Sequence, residues 1–222
     1  MTDLAAFQLA DSFLPTGSYA HSYGLEQCVV DDRVGSVDEL RGFLDRALTR
    51  QIGPSDMVAL RAAHRAARDG DVAGVVQADR RLEAATLPAE FRESARRAGE
   101  RLAEIWVETR DAPLIASYRD RDPPHQGPAV LGAVAAVADI DADRACRLHG
   151  YRYCSDLLGA GQRLLSLGHT DAQRILTDLG PAIETAVADS ADRPLDRIGG
   201  TTPLIDIASA RHERADRRLF RS

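Results

Sequence analysis

Hydrophobic residues recur with helical spacing along most of the chain. Leu40, Phe43, Leu44 and Ala47 fall at i, i+3 and i+4 positions, which places them on one face of a helix. The segment before them, Ser36-Val37-Asp38-Glu39, has the form of a capping box and predicts that this helix begins there. No segment alternates apolar and polar residues over the length of a strand. The pattern therefore predicts an all-α fold, a single-domain bundle of roughly eight to ten helices.

Helix boundaries are predicted from glycine, proline and capping residues. The dipeptide Gly53-Pro54 is expected to end the first of these helices, with Ser55 capping the next one. Asp141 is placed to cap a long helix, and residues 170–173 form a second capping-box pattern. These signals predict short connections between helices for most of the chain.

The composition changes near residue 200, where Pro194 and the dipeptide Gly199-Gly200 interrupt the helical pattern. A short helical piece that ends in arginines follows them. We therefore expect a helical domain over residues 1–200 and a partner-binding C-terminal tail over residues 201–222, ordered only under some conditions.

Arginine accounts for all 28 residues of the Lys+Arg total, because the chain contains no lysine. P-loop nucleotide sites, Schiff-base enzymes and protein-kinase cores each need a lysine, so these classes are excluded. The net charge of -6 argues against a nucleic-acid partner, since nucleic-acid-binding surfaces are basic.

Membrane and disulfide signals are both missing from the sequence. The longest apolar stretch, residues 129–138, is too short to span a bilayer and predicts a helix buried on all sides. The N-terminus has no secretory pattern. Three cysteines, Cys28, Cys146 and Cys154, do not form a disulfide framework. We therefore expect reduced thiols, a cytoplasmic location and no membrane association.

Three segments carry motifs beyond helical patterning. They are residues 8–26 (QLADSFLPTGSYAHSYGLE), the glycine-containing stretch 151–173, and residues 203–213 (PLIDIASARHE) followed by residues 218–222 (RLFRS). Together they resemble the urease accessory protein UreF family, and the resemblance spans the whole chain. One departure is Ser22-Tyr23, where the family frequently has Ser-Gly. The tyrosine adds bulk beside His21.

The resemblance implies an all-helical protein that has no catalysis and no cofactor of its own. It implies a scaffold that bridges accessory protein D (also called H) and the GTPase accessory protein G. The resemblance further implies that the scaffold bridges these proteins as a homodimer, that the complex delivers nickel into apo-urease, and that the scaffold has a role in regulating GTP hydrolysis. The alternative is a nickel-binding metallochaperone that acts directly. The lack of a His-rich or Cys/His-rich tract disfavours this alternative.

The candidate partner-binding residues lie in the first and last motifs. They are His21, Glu26, His212, Glu213, Arg218, Leu219 and Phe220. His21 either holds the turn between two helices or contacts a partner or passing nickel. We interpret Leu219 and Phe220 as exposed apolar anchors for accessory protein D. The alternative for the tail is a helix that docks on its own core.

Cys146, His149 and Cys154 have residue types that nickel accepts as ligands. Isolated helical cysteines are more often small buried hydrophobic residues. We therefore assign no metal site. We also assign no catalytic residue, because no nucleophile is paired with a base.

Overall fold

The computed structural model describes residues 2–11, 13–16, 22–212 and 220, without the side chains of residues 2 and 3. Within these residues every regular element is helical, which confirms the all-α prediction. None of their helices is both long enough and apolar enough to cross a bilayer. The predictions for His21, Glu213, Arg218 and Leu219 fall outside the described residues.

The elements follow one another with short connections. They are α1 (Thr2–Ala10), α2 (Leu25–Val30), α3 (Val37–Ala47), a π-helical segment (Leu48–Met57), α4 (Val58–Arg68), α5 (Val72–Ala85), α6 (Ala89–Thr109), α7 (Pro113–Arg119), α8 (Gly127–Val137), α9 (Ala142–Leu164), α10 (His169–Asp178), α11 (Gly180–Ala191), a 3₁₀ turn (Leu195–Arg197) and α12 (Pro203–His212).

Two of the predicted helix caps are present. The Ser36 hydroxyl accepts a hydrogen bond from the Glu39 amide at 3.3 Å, and the Glu39 carboxylate accepts one from the Gly35 amide at 2.9 Å. Asp141 accepts a hydrogen bond from the Arg144 amide at 2.7 Å and starts α9. These bonds satisfy amide groups that have no partner within the helix.

The predicted cap at residues 170–173 is wrong. Helix α10 already begins at His169, and Gly168 occupies the N-cap position without a side-chain hydrogen bond. A serine or threonine pattern marks a helix start only when its backbone lies outside the helix, and Thr170 lies inside it.

The predicted break at Gly53-Pro54 is also wrong. The π-helical segment continues α3 into α4, and Ser55 is buried within it instead of capping a new helix. Proline has no amide hydrogen, so in an α-helix Pro54 would leave the carbonyl of Arg50 without a donor. The segment is instead π-helical, and in a π-helix each carbonyl pairs with the amide five residues on, so the Arg50 carbonyl is in register with Ser55 and not with Pro54. The amide of Thr201 also donates to the Arg50 carbonyl at 2.9 Å. The helix therefore passes the proline by widening, and a distant part of the chain adds a hydrogen bond there.

The linker before α12 makes further contacts with the π-helical segment. The Gly199 amide donates to the carbonyl of Pro54 at 3.1 Å, and the Thr202 hydroxyl donates to the side chain of Gln51 at 2.7 Å. A Cβ on Gly200 would lie 2.7 Å from the carbonyl oxygen of Arg50. Residues 199–202 are thus packed directly against the helical body.

Helix α8 lies at the centre of the core, packed against α4 and α6. Its residues 128–136 are all buried, as its uniformly small and apolar sequence predicts. A Cβ on Gly132 would lie 2.2 Å from the carbonyl oxygen of Leu60. Glycine at this position therefore lets the α4 and α8 backbones touch.

Helix α12 packs against α2, which joins the two ends of the described chain. Ile205 and Ala208 are buried at this contact. Gly24 precedes α2 with a φ of 78°, and a Cβ there would lie 3.2 Å from the carbonyl oxygen of Ile205. The first and last motifs of the sequence therefore meet in one place.

Candidate functional site

A buried histidine lies between two carboxylates where α2, α6 and α12 meet. The Nε2 atom of His212 lies 3.0 Å from Oε2 of Glu26, and its Nδ1 atom lies 3.0 Å from Oε2 of Glu90. Only 1% of the His212 side chain is exposed, and both carboxylates are nearly as buried. We call Glu26, Glu90 and His212 the buried triad.

The buried triad uses both ring nitrogens of His212. Each nitrogen faces a carboxylate oxygen, one of Glu26 and one of Glu90. Charges this deeply buried stabilise a fold only when they are paired, so each member depends on the other two.

Phe220 also contacts the buried triad. Its amide donates to Oε2 of Glu26 at 3.1 Å, and its ring lies 5.0 Å from the guanidinium of Arg163. The residue is 4% exposed. The expectation that Phe220 is an exposed anchor is therefore wrong, because its ring and amide both find partners within the chain.

The outer face of α12 is apolar and open to solvent. Leu204 is 59% exposed and Ile207 is 57% exposed, although Ile205 and Ala208 of the same helix are buried. Near the end of α12, Arg211 pairs with Asp31 at 2.6 Å. The helix thus holds the two chain ends together with one face and presents leucine and isoleucine with the other.

A cavity of about 120 Å³ lies within the helical body. Part of its wall is aromatic: the ring of Tyr23 lies 5.4 Å from that of Phe91 and 5.3 Å from that of Tyr153. Burial raises the pKa of Tyr23, and the nearby Asp156 carboxylate raises it further. Both tyrosine hydroxyls therefore stay protonated at neutral pH and are suited to hydrogen bonding, not to proton transfer.

The polar part of the cavity wall connects α9 to the N-terminal segment. Arg152 donates to the carbonyl of Leu9 at 2.9 Å and to the hydroxyl of Thr16 at 3.0 Å. On the same helix, Nε2 of His149 lies 2.9 Å from a carboxylate oxygen of Asp56. These groups are held by partners within the chain, so the cavity wall is structured before any ligand arrives.

Cys146, His149 and Cys154 do not form one site. Both cysteines are fully buried, and burial raises the pKa of each thiol to about 12. His149 faces Asp56. Among the described residues, no group of three histidine, cysteine, aspartate or glutamate side chains is placed to hold a metal ion.

The structure brings together Glu26, His212 and Phe220, three of the residues that the sequence analysis selected. It adds Glu90, which the sequence analysis missed. Glu90 lies in the first turn of α6, where an acidic residue is common for reasons of helix stability alone. Its pairing with a histidine 122 positions away left no signal in the local pattern.

Comparisons with known proteins extend the similarity over the whole chain. Residues 34–180 match the family model described as UreF. The chain is 35% identical to the urease accessory protein UreF of Trichodesmium erythraeum (strain IMS101), over 98% of this chain and 95% of that protein. It is 32% identical to the urease accessory protein UreF of Corynebacterium glutamicum (strain R), and 28% identical to that of Bacillus sp. (strain TB-90). Each of the latter two alignments covers 99% of this chain and 98% of the relative.

Proposed function

We propose, because this chain belongs to the urease accessory protein UreF family, that it acts as a non-catalytic scaffold in the maturation of urease. In this proposal it bridges accessory protein D (H) and the GTPase accessory protein G. The assembled complex delivers nickel into apo-urease. Control of GTP hydrolysis by protein G, a homodimeric state and a cytoplasmic location belong to the same proposal.

The observation that carries the proposal is the junction of α2 and α12. The groups of the buried triad contact one another within the chain instead of facing an open pocket. The junction also presents Leu204 and Ile207 to solvent. A fixed core with an exposed apolar face suits protein–protein contact.

Reconstitution tests the scaffold function. Apo-urease, accessory proteins D and G, nickel, bicarbonate and GTP are combined with and without the purified chain, and urease activity is measured. We expect activation to depend on the chain. Equal activation in both mixtures would refute the function. The GTPase rate of protein G, measured with and without the chain, tests the regulatory part separately.

The exposed face of α12 is the part of the junction that we propose for contact with accessory protein D. The double variant Leu204→Asp and Ile207→Asp should weaken association with D at least tenfold while the helical content stays unchanged. Val137→Asp, which changes an exposed apolar residue on α8, is the matched control. Association that survives the double variant would place the contact with D elsewhere.

Point variants are preferable to removing residues 201–222. Thr201 donates to the carbonyl of Arg50, and Ile205 is buried against α2. Truncation would expose these groups and damage the helical body, so lost binding would have two explanations. The exposed side chains of Leu204 and Ile207 separate partner contact from folding.

A further inference from the structure

Three arginines surround a shallow depression on the surface of α5. Arg80 and Arg81 project from this helix, and Arg121 lies in the connection that follows α7. Ala73, Val76 and Gln77, from the preceding turns of α5, complete the depression. We call Arg80, Arg81 and Arg121 the arginine patch.

A buried aspartate holds the two parts of the arginine patch together. Asp79, the residue before Arg80, is fully buried. It accepts hydrogen bonds from the Tyr118 hydroxyl at 2.7 Å, the His125 amide at 2.8 Å and the Gln126 amide at 2.7 Å. Burial raises the pKa of Asp79 although all three donors oppose the shift. The loop that carries Arg121 is thus anchored at both of its ends to the residue beside Arg80.

The arginine patch is not neutralised within the described part of the chain. There, the side chains of Arg80, Arg81 and Arg121 make no ion pair or hydrogen bond, and all three are exposed. The exposed face of α6 is different. Arg96 and Arg97 both bind Glu93, at 2.9 Å and 2.6 Å, and lower the pKa of that carboxyl to about 2. Unpaired guanidinium groups in an acidic protein are available to an external anion.

We propose that the arginine patch is a docking site for an acidic segment of a protein partner, one that presents closely spaced aspartate or glutamate side chains. The guanidinium group matches a carboxylate with two parallel hydrogen bonds, so three neighbouring arginines select a run of carboxylates. The inference rests on the proposed function, because it assigns a second contact surface to a protein that works by binding other proteins.

The charge distribution favours a carboxylate-bearing protein over a nucleic acid. A nucleic-acid footprint needs a basic stripe across a domain, whereas this chain carries a net charge of -6. A long polyanion on the arginine patch would extend over the rest of a protein whose net charge is negative. A short acidic segment covers the arginine patch alone and avoids that repulsion.

The test compares two double charge reversals in the full-length chain. Arg80→Glu with Arg121→Glu alters the arginine patch. Arg46→Glu with Arg65→Glu makes the same change in net charge at exposed arginines that do not line the depression. Affinity for purified accessory protein D, accessory protein G and apo-urease is measured at low and high salt, and thermal unfolding checks that both variants are folded.

We expect the arginine-patch variant to lose at least tenfold in affinity for one of these partners, with a weaker dependence on salt, while the control variant binds as the parent does. Equal affinities of the two variants for every partner would overturn the inference. A deca-glutamate peptide should compete with that partner. A single-stranded oligonucleotide or pyrophosphate that competes better than the peptide would also overturn it. Failure of the unaltered chain to activate urease counts against the proposed function and is scored separately.

Discussion

Two helix contacts in this protein each place a glycine against the backbone of the other helix, and they differ in the side chains that surround the glycine. At the crossing of α4 and α8, Gly132 faces the backbone of Leu60, and the surroundings are apolar. At the junction of α2 and α12, Gly24 faces the backbone of Ile205, but the buried triad lies beside it. The first contact depends on shape alone. The second also depends on polar groups, so the loss of one side chain can loosen it.

Thiol reactivity should show the largest difference between the two regions. Cys146 and Cys154 lie in the core, where burial raises the pKa of each thiol from its ordinary value to about 12. At pH 8 the thiolate fraction of each should be about 10³-fold below that of an unperturbed cysteine. The rate at which each thiol reacts with DTNB should rise about tenfold per pH unit. Cys28 lies on α2. Its pKa is also raised, mainly by burial and to a lesser extent by the charge of Asp31.

The measurement is the rate of reaction with DTNB in the native protein, with single Cys→Ala variants to assign each thiol. Cys28 should react first, because local opening of the junction exposes α2 without disturbing the core. Equal rates for the three thiols would show that the two regions open together.

Removal of the imidazole should cost the junction most of its stability. His212→Ala removes the ring that both buried carboxylates contact. It should lower the free energy of unfolding by about 3–5 kcal/mol, as breaking a buried ion pair does. Urea denaturation measures the loss, and His212→Gln, which keeps one donor, serves as the control. A change below about 1 kcal/mol in His212→Ala would show that the buried triad adds little to its surroundings.

The apolar crossing should respond to a single methyl group. Gly132→Ala would place a Cβ 2.2 Å from the Leu60 carbonyl oxygen and force the helices apart. We expect a loss of about 1–3 kcal/mol by urea denaturation. Gly159→Ala on α9 is the control, because nothing lies within 4 Å of the added atom. It should gain up to about 1 kcal/mol from helix propensity. Similar losses in both variants would refute the close contact.

The smallest effect should come from the rim of the junction. Arg211 pairs with Asp31 in an ion pair whose arginine is 58% exposed. Arg211→Ala should therefore change the free energy of unfolding by less than about 1 kcal/mol, since exposed ion pairs are weak. This change should depend little on salt concentration. A loss as large as that of His212→Ala would show that charge at the surface, and not the buried triad, holds α12.

Local sequence signals predicted much of the helical framework. Ser36 and Asp141 start helices where the pattern places them, because each cap involves only neighbouring residues. The uniformly apolar α8 was predicted to be buried on all sides, and its residues 128–136 are buried, whereas Val137 at its end is exposed. Such features depend on short-range chemistry that a single stretch of sequence contains.

Features that depend on distant residues were not predictable in the same way. Pro54 was expected to end a helix, but the chain widens there into a π-helical segment that receives a hydrogen bond from the distant Thr201 amide. Phe220 looked exposed at the end of the chain, but its amide bonds to Glu26. Glu90 was not predicted as a site residue, because its partner His212 lies on α12, far away in the sequence. The division at residue 200 and the partner roles of the motif residues stay predictions.

The hydrogen bonds between the π-helical segment and residues 199–202 have a consequence for synthesis of the chain. Gln51 and Thr202 are 151 positions apart, so the ribosome must add all of the intervening residues before they can meet. Until then the carbonyl of Arg50 lacks the hydrogen bond from Thr201. The π-helical segment should therefore reach its final form only after residues 199–202 have left the ribosome. In an emerging chain the π-helical segment would therefore be completed late, when residues 199–202 reach it.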